Sequence, residues 1–512
     1  MGSSMRRIKL KIMLSRIKGF WEEYRRNRIG IVGLAIILFF IITAFLAPVI
    51  SPYNPTDKGL AVPLALPLWM KMFPKNQDLP STQISEIDFT IAESNDYIDV
   101  EFTNYDPEIC GFLETTTIRD WKVKYNGGPT DPLEIKLIWN FNYPYQSPPI
   151  IRQSFRWRVV DIRNIGYNIE LSLVRWGNEP AEYSLWDSNF KKGTPEKSLK
   201  YKEDYIYGDW PRLVKISTDY EESLSRIAPQ VGLKEGITSK SVLKEMFPEK
   251  GEYGLIMYVR LNPKSTNASC EIDIIDPEYV LLGSAHGILG TNHEGADILS
   301  RLIYGVKVSL SIGLIVAVIS VVIGTFIGVV SGYVGGFVDE VNMRLVDLLL
   351  CLPIFPLLLA LVLMFGRDLY LIMFLLALLS WMGLSRTVRS QVLSLREMAF
   401  VESAIASGAT KGYILVKHII PNITPLVFTS MMLSIPGAIL SESSLSFLGF
   451  GDPKVMSWGR IINNAMNFGA FPRGAWWWIF SPAVAIMLLS AGFVFVSHAL
   501  DQIINPRLRQ RK

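Results

Sequence analysis

The polar gap between two membrane-length apolar segments reads Ala399-Phe-Val-Glu402-Ser403-Ala404-Ile-Ala-Ser-Gly408-Ala409-Thr-Lys-Gly-Tyr-Ile-Leu-Val-Lys-His-Ile-Ile-Pro421-Asn422. Its first eight residues are mostly good helix formers with a single acid, and Gly408 supplies a permissive backbone where a helix can end. Pro421 favours the start of a new helix. The pattern predicts a short helix, a turn and a return towards the apolar phase, although a solvated linker would explain the polarity equally well.

The composition indicates a chain that lies partly inside and partly outside a membrane. Its 512 residues are 49% hydrophobic with a positive mean hydropathy of +0.26, too apolar for a soluble protein, and 19% charged, too many for a protein buried wholly in a bilayer. Most of the apolar windows reach or approach the roughly 20 residues that cross about 30 Å of hydrocarbon. They cover residues 29–50, 306–333, 345–365, 369–381 with an amphipathic continuation to 395, 423–440 and 479–500. We predict an α-helical polytopic membrane protein with six transmembrane helices.

A stretch of different character separates the first two windows. Residues 54–288 are rich in charge, aromatics, Pro and Asn, and four pieces alternate in the manner of half-buried strands, at 97–102, 133–138, 168–173 and 270–274. This pattern predicts a folded β-rich domain inserted into the membrane protein. It could dock a delivering protein or shield the mouth of a pathway.

These features divide the chain into five parts. They are a basic N-terminal segment (1–28), a first transmembrane helix (29–50), a β-rich insert (55–288), a core domain with five transmembrane helices and a polar loop at 396–421 (289–505), and a tail (506–512).

Basic residues set the expected orientation. They cluster before the first span, in the loop at 386–417 and in the tail, and cytoplasmic segments carry an excess of Lys and Arg. Alternation of six spans from a cytoplasmic N-terminus puts all three clusters on the same side. We therefore expect both termini and the 396–421 loop in the cytoplasm of a plasma-membrane protein, and the insert outside the cell.

The predicted topology indicates the environment of each cysteine and of one glycosylation-like triplet. Cys110 and Cys270 both fall in the insert, where an oxidising environment would let a disulfide between them persist, whereas two free buried thiols are the alternative. Cys351 is expected to be buried in the third span. Asn267-Ala268-Ser269 matches the glycosylation pattern, which also occurs often by chance.

The motifs of the chain resemble those of one family. Glu402-Ser403-Ala404-x3-Gly408 looks like the EAA loop of ABC importer permeases, with Ser403 in place of the usual alanine. Residues 289–305, Leu-Gly-Thr-Asn-His-Glu-Gly-Ala-Asp-Ile-Leu-Ser-Arg-Leu-Ile-Tyr-Gly, are similar to the approach to the second span in dipeptide and oligopeptide importer permeases of the C type, with Ala296 replacing an arginine. Further matches stand at 332–340, 344–347, 391–397, 445–451, 457–459 and 501–507. The insert is not part of the common core of the family.

The resemblance implies a role within a larger assembly. The chain would pair with a second, B-type permease subunit, form half the solute pathway in the membrane lipid, and contact two ABC ATPase subunits, which would bind ATP and Mg²⁺. An extracellular substrate-binding protein would deliver peptides, oligosaccharides or metal chelates. The residues assigned to ATPase coupling are Glu402, Ser403, Ala404, Gly408, Ala409 and Pro421.

Several chemistries have no motif in this sequence. There is no Gly-x4-Gly-Lys run for ATP, no metal-ligand spacing, no credible nucleophile and base pair, and no indication of nucleic acid as a partner. We therefore expect no enzyme activity and no cofactor bound by this chain. The alternative function is a membrane-anchored receptor or sensor that binds a ligand outside the cell without transport. A channel or secondary transporter would need no ATPase at all.

Charged residues within the spans are candidates for the solute pathway. Glu442, flanked by Ser441 and two further serines, would line a polar stretch of the pathway or would form an interhelical hydrogen bond, and the sequence leaves both open. Asp347 follows Arg344 by three positions, so we expect these two to pair on one helix face.

Overall fold

The computed structural model describes residues 19, 21–93, 96–105, 118–145, 147–177, 179–188, 212–233 and 237–504. They form two compact units. The membrane unit contains the described residues up to Asp57 and from Asp297 onward, and the insert unit contains those from Lys58 to Ala296.

The helices of the described chain are numbered here in chain order. They are α1 (Arg28–Ile50), α2 (Glu221–Ile227), α3 (Ser239–Met246), α4 (Ile298–Val334), α5 (Gly336–Cys351), α6 (Ile354–Phe365), α7 (Leu369–Ser380), α8 (Met382–Arg396), α9 (Ala399–Ala406), α10 (Lys411–Ile414), α11 (Ile420–Phe447), α12 (Trp458–Asn467) and α13 (Trp476–Ile504). Short 3₁₀ turns occupy Leu68–Met72 and Pro74–Asn76, and a π-helical turn occupies Leu415–Ile419.

Five helical stretches of the described chain are long and apolar enough to cross a membrane, and a bent pair raises the number to six. They are α1, α4, α7 with α8, α10 to α11, and α13, and the bent pair is α5 with α6. The predicted fold class, a polytopic helical protein with a β-rich insert, is therefore confirmed, with five to six spans.

The third predicted span is broken rather than straight. Its two halves, α5 and α6, meet at an angle of 86° around Leu352 and Pro353. Leu352 is extended, with a ψ of 139°, as expected of a residue before proline, and Pro353 has no N–H to continue the helix. Cys351, expected to be buried, ends α5 with an exposed side chain.

The membrane unit is held together by close helix contacts at glycines. A Cβ at Gly324, Gly328 or Gly332 of α4 would lie only 2.5–2.9 Å from the carbonyl oxygens of Trp381, Ser385 and Arg389. Both series advance by four residues, so one face of α4 meets one face of the chain through Trp381 and α8. Small residues at such a contact let two helix backbones approach closely, as is common in membranes.

The insert unit is a sandwich of two antiparallel sheets. Its strands are β1 (Gln83–Glu86), β2 (Thr90–Glu93), β3 (Ile98–Tyr105), β4 (Ile118–Asn126), β5 (Leu133–Tyr143), β6 (Ile150–Arg163), β7 (Ile165–Arg175), β8 (Ala181–Asp187), β9 (Arg212–Ser217), β10 (Gly251–Pro263) and β11 (Ser269–Leu282). One sheet has the order β3-β4-β11-β6-β9 with β1 also on β11, and the other has the order β2-β5-β10-β7-β8. Three of the four segments that alternate in the sequence lie wholly in strands, and the fourth, 97–102, does so from Ile98 onward.

The long strand β11 organises the six-stranded sheet. One of its edges pairs with β4 over Ser269 to Ile275 and then with β1 over Glu278 to Leu281, while the other edge pairs with β6. Buried side chains from both sheets, such as Ile272 of β11 and Leu255 of β10, meet in one core. Phe247, directly after α3, closes part of this core against Tyr143 and Tyr253.

The base of the insert unit joins residues on both sides of the β-rich sequence. The Thr291 hydroxyl donates to the Val62 carbonyl at 2.7 Å and accepts from the Ala65 N–H at 2.8 Å. The Asn292 Oδ1 accepts from the N–H groups of Glu294 and Ala296, both at 2.9 Å. The Thr291 side chain therefore connects the two attachment segments, and the Asn292 side chain stabilises the turn that follows it.

Candidate functional site

The candidate coupling segment consists of α9 and the turn that ends it. The N–H of Gly408 donates to the Ile405 carbonyl at 2.9 Å, and the N–H of Ala409 donates to the Ala404 carbonyl at 3.1 Å. These two bonds form a Schellman cap, which requires a left-handed residue, and Gly408 has a φ of +80°. Ala404 and Ala409 pack on the same apolar cluster, as the cap favours. The segment therefore has a sharp, sequence-encoded stop.

One face of α9 is fixed to the membrane unit. Val401 is fully buried in a cluster with residues of α4, α8 and α11, including Val388, Val392 and Ile423. The Ser403 hydroxyl donates back to the Ala399 carbonyl at 2.7 Å, so it serves the helix itself. The substitution of the family's alanine by Ser403 thus adds a local bond within α9 and changes nothing in the packed face.

The other face of α9 is open. Phe400 and Ile405 are 42% and 52% exposed, and Met398, Tyr413 and Val416 nearby in the sequence are exposed as well. The Glu402 side chain is exposed and forms no hydrogen bond or ion pair with the residues that the structure describes. Exposed apolar side chains that lie together mark a surface that another protein or the membrane covers. We call Met398, Phe400, Glu402, Ile405 and Tyr413 the coupling surface, a name that refers to the predicted role of this segment.

Pro421 lies in the first turn of α11, as the sequence predicts, but the helical stretch that contains it begins earlier. That helix begins at Lys411, where the Thr410 hydroxyl caps the Tyr413 N–H at 3.4 Å, and it continues through the π-turn into α11. Within the π-turn the Ile420 N–H bonds the Leu415 carbonyl, one residue farther back than in an α-helix. Pro421 lacks an N–H and would crowd the carbonyl four residues earlier, and a π-turn directly before it relieves this crowding.

Two ion pairs connect α5 with α8, the helix that leads directly to the coupling segment. Arg389 holds Asp339 with two bonds of 2.5 and 2.6 Å, and Arg386 pairs with Asp347. The expected pair between Arg344 and Asp347 is wrong, because Arg344 instead contacts Glu340 at 2.7 Å, one helical turn back. The Asp347 side chain is directed across to α8.

Glu442 lies where α11 meets α12. Its side chain is 2% exposed, and Oε1 accepts a hydrogen bond from the Ser446 hydroxyl at 2.6 Å. The Ser446 hydroxyl lies 3.4 Å from that of Ser457, which caps α12. A Cβ at Gly459 would lie 2.6 Å from the Ser443 backbone, so the two helices are in close contact here. Ser441 is half-buried, and a pathway role for Glu442 and Ser441 stays a prediction.

The candidate disulfide lies only partly within the described chain. Cys270 of β11 is 3% exposed and forms no disulfide with the residues that the structure describes. Burial, followed by the charges of Asp161 and Glu271, raises the pKa of its thiol to about 12. Cys110 lies outside the described residues, so the pairing stays a prediction. Among the described residues, no group of three or more His, Cys, Asp or Glu is placed to hold a metal ion.

Two family models match the parts of the sequence that flank the insert. Residues 324–510 match the binding-protein-dependent transport system inner membrane component. Residues 15–67 match the N-terminal TM domain of oligopeptide transport permease C. Residues 68–323, which contain the β-rich sequence, lie between the two matches.

Curated relatives agree with these models. The oligopeptide transport system permease protein OppC of Haemophilus influenzae is 40% identical over 222 residues, covering 43% of this chain and 70% of that protein. The dipeptide transport system permease protein DppC of Bacillus subtilis is 34% identical over 234 residues, covering 46% and 72%. OppC of Escherichia coli K12 is 36% identical over 240 residues, covering 46% and 78%.

The fold and these matches define a multi-pass membrane permease component, a class that has no ATPase of its own. The chain belongs to the family of binding-protein-dependent transport inner membrane components, as a peptide permease of the OppC and DppC type.

Proposed function

We propose that this chain is the C-type permease subunit of an ATP-driven peptide importer. It pairs with a second, B-type permease subunit, forms half of the solute pathway, and receives solute from an extracellular binding protein. Both termini lie in the cytoplasm, as the basic clusters before the first span and after the last indicate. Peptides are favoured over oligosaccharides because the similar curated relatives carry oligopeptide and dipeptide names.

The observation that carries the proposal is the half-packed coupling segment. Helix α9 is anchored through Val401, ends in a glycine-dependent cap, and leaves apolar side chains and the Glu402 carboxylate uncovered. An ATPase subunit that covers the coupling surface would remove this apolar area from water and give Glu402 a partner. Movement of that subunit during ATP hydrolysis would reach α8 and α11 through the shared apolar cluster around Val401. ATP and Mg²⁺ would bind to the ATPase subunits.

Charge reversal at Glu402 tests this contact. In the complete importer reconstituted into vesicles, Glu402→Lys is expected to reduce ATP-dependent uptake of a labelled peptide by at least about 10-fold. A buried charge pair that loses one partner costs several kcal/mol, and each 1.4 kcal/mol corresponds to a factor of ten. The side chain is exposed and forms no hydrogen bond or ion pair in the described chain, so membrane insertion and thermal stability should not change.

Glu397→Lys is the matched control. Glu397 is exposed and lies five positions earlier, before α9 begins, so its variant carries the same change in charge. Normal uptake by Glu402→Lys, or an equal loss in both variants, would remove α9 as the specific ATPase contact. Comparison of peptide and oligosaccharide uptake by the unmodified importer tests the substrate class separately.

A further inference from the structure

A cavity of about 480 Å³ opens on the six-stranded sheet of the insert unit. Its polar walls come from three adjacent strands, β9, β6 and β11, and from the attachment residues Lys58, Gly59 and Glu294. Arg152 and Ser154 of β6 alternate with the buried Ile151 and Phe155, so they lie on the sheet face turned away from the core. The volume lies within the range of roughly 300–1,000 Å³ found for small-molecule sites.

Two of the cations that line the cavity are already neutralised. The Lys58 ammonium lies 2.5 Å from the Glu294 carboxylate. The Arg152 guanidinium donates to the Asp219 carboxylate and to the Gly59 carbonyl, both at 3.1 Å. A Cβ at Gly59 would overlap this guanidinium, so the close approach depends on glycine. These contacts build one wall of the cavity and leave little net charge there.

Two further charged residues on the cavity wall remain uncompensated. Lys215 of β9 and Glu278 of β11 are both direct cross-strand partners of Ser154, from opposite sides, and therefore share its face of the sheet. Neither forms an ion pair within the described chain, and Glu278 accepts only a 3.4 Å hydrogen bond from Ser154. Two strand spacings separate their backbones by about 10 Å. A cation and an anion thus stand on either side of one hydroxyl.

We propose that this cavity binds a small zwitterion, a short peptide with a free amino and a free carboxyl terminus. The ligand carboxylate pairs with Lys215, the ligand ammonium pairs with Glu278, and Ser154 contacts the ligand between them. An extended dipeptide or tripeptide spans roughly 7 to 10 Å, which is close to the separation of about 10 Å between the backbones of β9 and β11. A ligand with only one charge would leave either Lys215 or Glu278 without a partner. The site belongs to the insert unit and does not depend on the proposed ATPase coupling.

The test measures binding of trialanine to the purified full chain in detergent micelles, without ATPase or binding protein, by titration calorimetry. Free trialanine is expected to bind at least about 10-fold more tightly than its N-acetylated form and than its C-amidated form, since each blocked end loses one charge-assisted contact. No detectable binding of trialanine, or equal affinities of free and blocked forms, would overturn the proposal.

Substitutions assign each end of the ligand to its residue. In Lys215→Gln the free and C-amidated peptides are expected to bind equally, while the preference against N-acetylation remains. In Glu278→Gln the preference against N-acetylation is lost and the preference against amidation remains. The controls, Lys240→Gln and Glu252→Gln, make the same charge changes at exposed positions outside the cavity and should keep both preferences. If both preferences persist in the Lys215 and Glu278 variants, the peptide binds elsewhere and the proposal is wrong.

Discussion

Both units of this chain bury large aromatic side chains, Trp458 and Trp478 in the membrane unit among them, but their closest contacts differ. The largest fully buried side chains of the insert unit are aromatic, among them Tyr125, Phe155 and Tyr279. In the membrane unit, α4 contacts α8 through Gly328 and its neighbours one turn away on either side. Burial of large apolar side chains stabilises a fold in water because it removes their surface from solvent. Lipid offers no such gain, so helices there depend on close backbone contact.

The two units also differ in the side chains that they expose on their outer surfaces. Phe45 and Val49 of α1 and Phe326 of α4 are 69% to 82% exposed in this chain, and they lie within membrane-length helices. Lipid, or the second permease subunit that we propose, would cover such side chains. The insert unit instead places its alternating strands with one face in a shared core. Each unit can therefore be tested by a substitution that lowers stability only if that unit packs in the way described.

The largest effect is expected at the candidate disulfide of the insert unit. A bond between Cys110 and Cys270 would close a loop of about 160 residues, and its loss in Cys110→Ser should lower the free energy of unfolding by roughly 4 to 5 kcal/mol, less any native strain. Cys351→Ser, which removes the exposed cysteine of the membrane unit, is the control and should have little effect.

Mass spectrometry of a non-reduced digest checks the bond directly. Alkylation has to be done on denatured protein, because burial raises the pKa of the Cys270 thiol to about 12 and leaves almost no reactive thiolate in the folded state. Recovery of both cysteines in alkylated form without a reductant would refute the pairing.

The next effect concerns the aqueous type of core. Ile272→Ala should destabilise the insert unit by about 2 to 5 kcal/mol, because Ile272 is fully buried and its truncation leaves a cavity. Ile84→Ala is the matched control in the same sheet, since Ile84 is 60% exposed and should cost less than about 1 kcal/mol. Urea unfolding followed by tryptophan fluorescence measures both. Equal costs would mean that burial does not govern the stability of this sheet.

In the membrane unit, where helices meet at glycines, we expect added volume to destabilise the protein. The effect should be smaller than that of the volume removed by Ile272→Ala. Gly328→Ala introduces a methyl group 2.5 Å from the Ser385 carbonyl oxygen and should cost about 1 to 3 kcal/mol, seen as a lower melting temperature in detergent. Gly383→Ala adds the same methyl group within α8, where nothing lies within 4 Å, and should be neutral or slightly stabilising. If Gly328→Ala melts like the control, α4 and α8 are not held by backbone contact.

Local patterns of the sequence were sufficient for the elements but not for their partners. The alternation at 270–274 predicted a strand because side chains alternate between a core and a solvent face. It could not show that β11 pairs with β4, β1 and β6, because those contacts join residues more than 100 positions apart. Residues 458–467 lie between the apolar windows at 423–440 and 479–500 and form α12, whose apolar face is too short to resemble a span.

In the coupling segment, too, the sequence predicted local structure but not contacts between distant residues. Gly408 was predicted to end the helix, and its left-handed backbone agrees with that role. Pro421 does lie in the first turn of α11, but the π-turn that joins α11 to α10 was not predicted from the local sequence. Asp347 was assigned to its helical neighbour Arg344, but a partner on α8 competes for it, and no local spacing could reveal that partner.

The smallest effect is expected in the pH dependence of stability, and it comes from a buried acid of the insert unit. The Asp120 side chain on β4 is fully buried, and neither carboxyl oxygen has a hydrogen-bond partner among the residues that the structure describes. Burial, assisted by the nearby Asp273 carboxylate and opposed by Lys122 and Arg158, raises the pKa of Asp120 to about 7. The pKa of an aspartate in the unfolded chain is about 3.9. The folded insert therefore retains a proton that the unfolded chain releases between these two values.

The sign of the pH dependence follows from that difference. Because the folded state binds more protons between about pH 4 and pH 7, the free energy of unfolding falls as the pH rises through this range and levels off above it. The shift from about 3.9 to about 7, which already includes the two nearby cations, sets an upper limit of about 4 kcal/mol on the contribution of Asp120. We expect of order 2 kcal/mol or less, because water and neighbouring side chains screen the ionised carboxylate. Asp120→Asn keeps the shape and removes the titration. Urea unfolding at pH 5, 6, 7 and 8 should show wild type losing stability relative to Asp120→Asn as the pH rises, whereas Asp99→Asn, at an exposed position on β3, should run parallel to wild type. A constant difference between wild type and Asp120→Asn across this range would show that Asp120 is ionised in the folded insert.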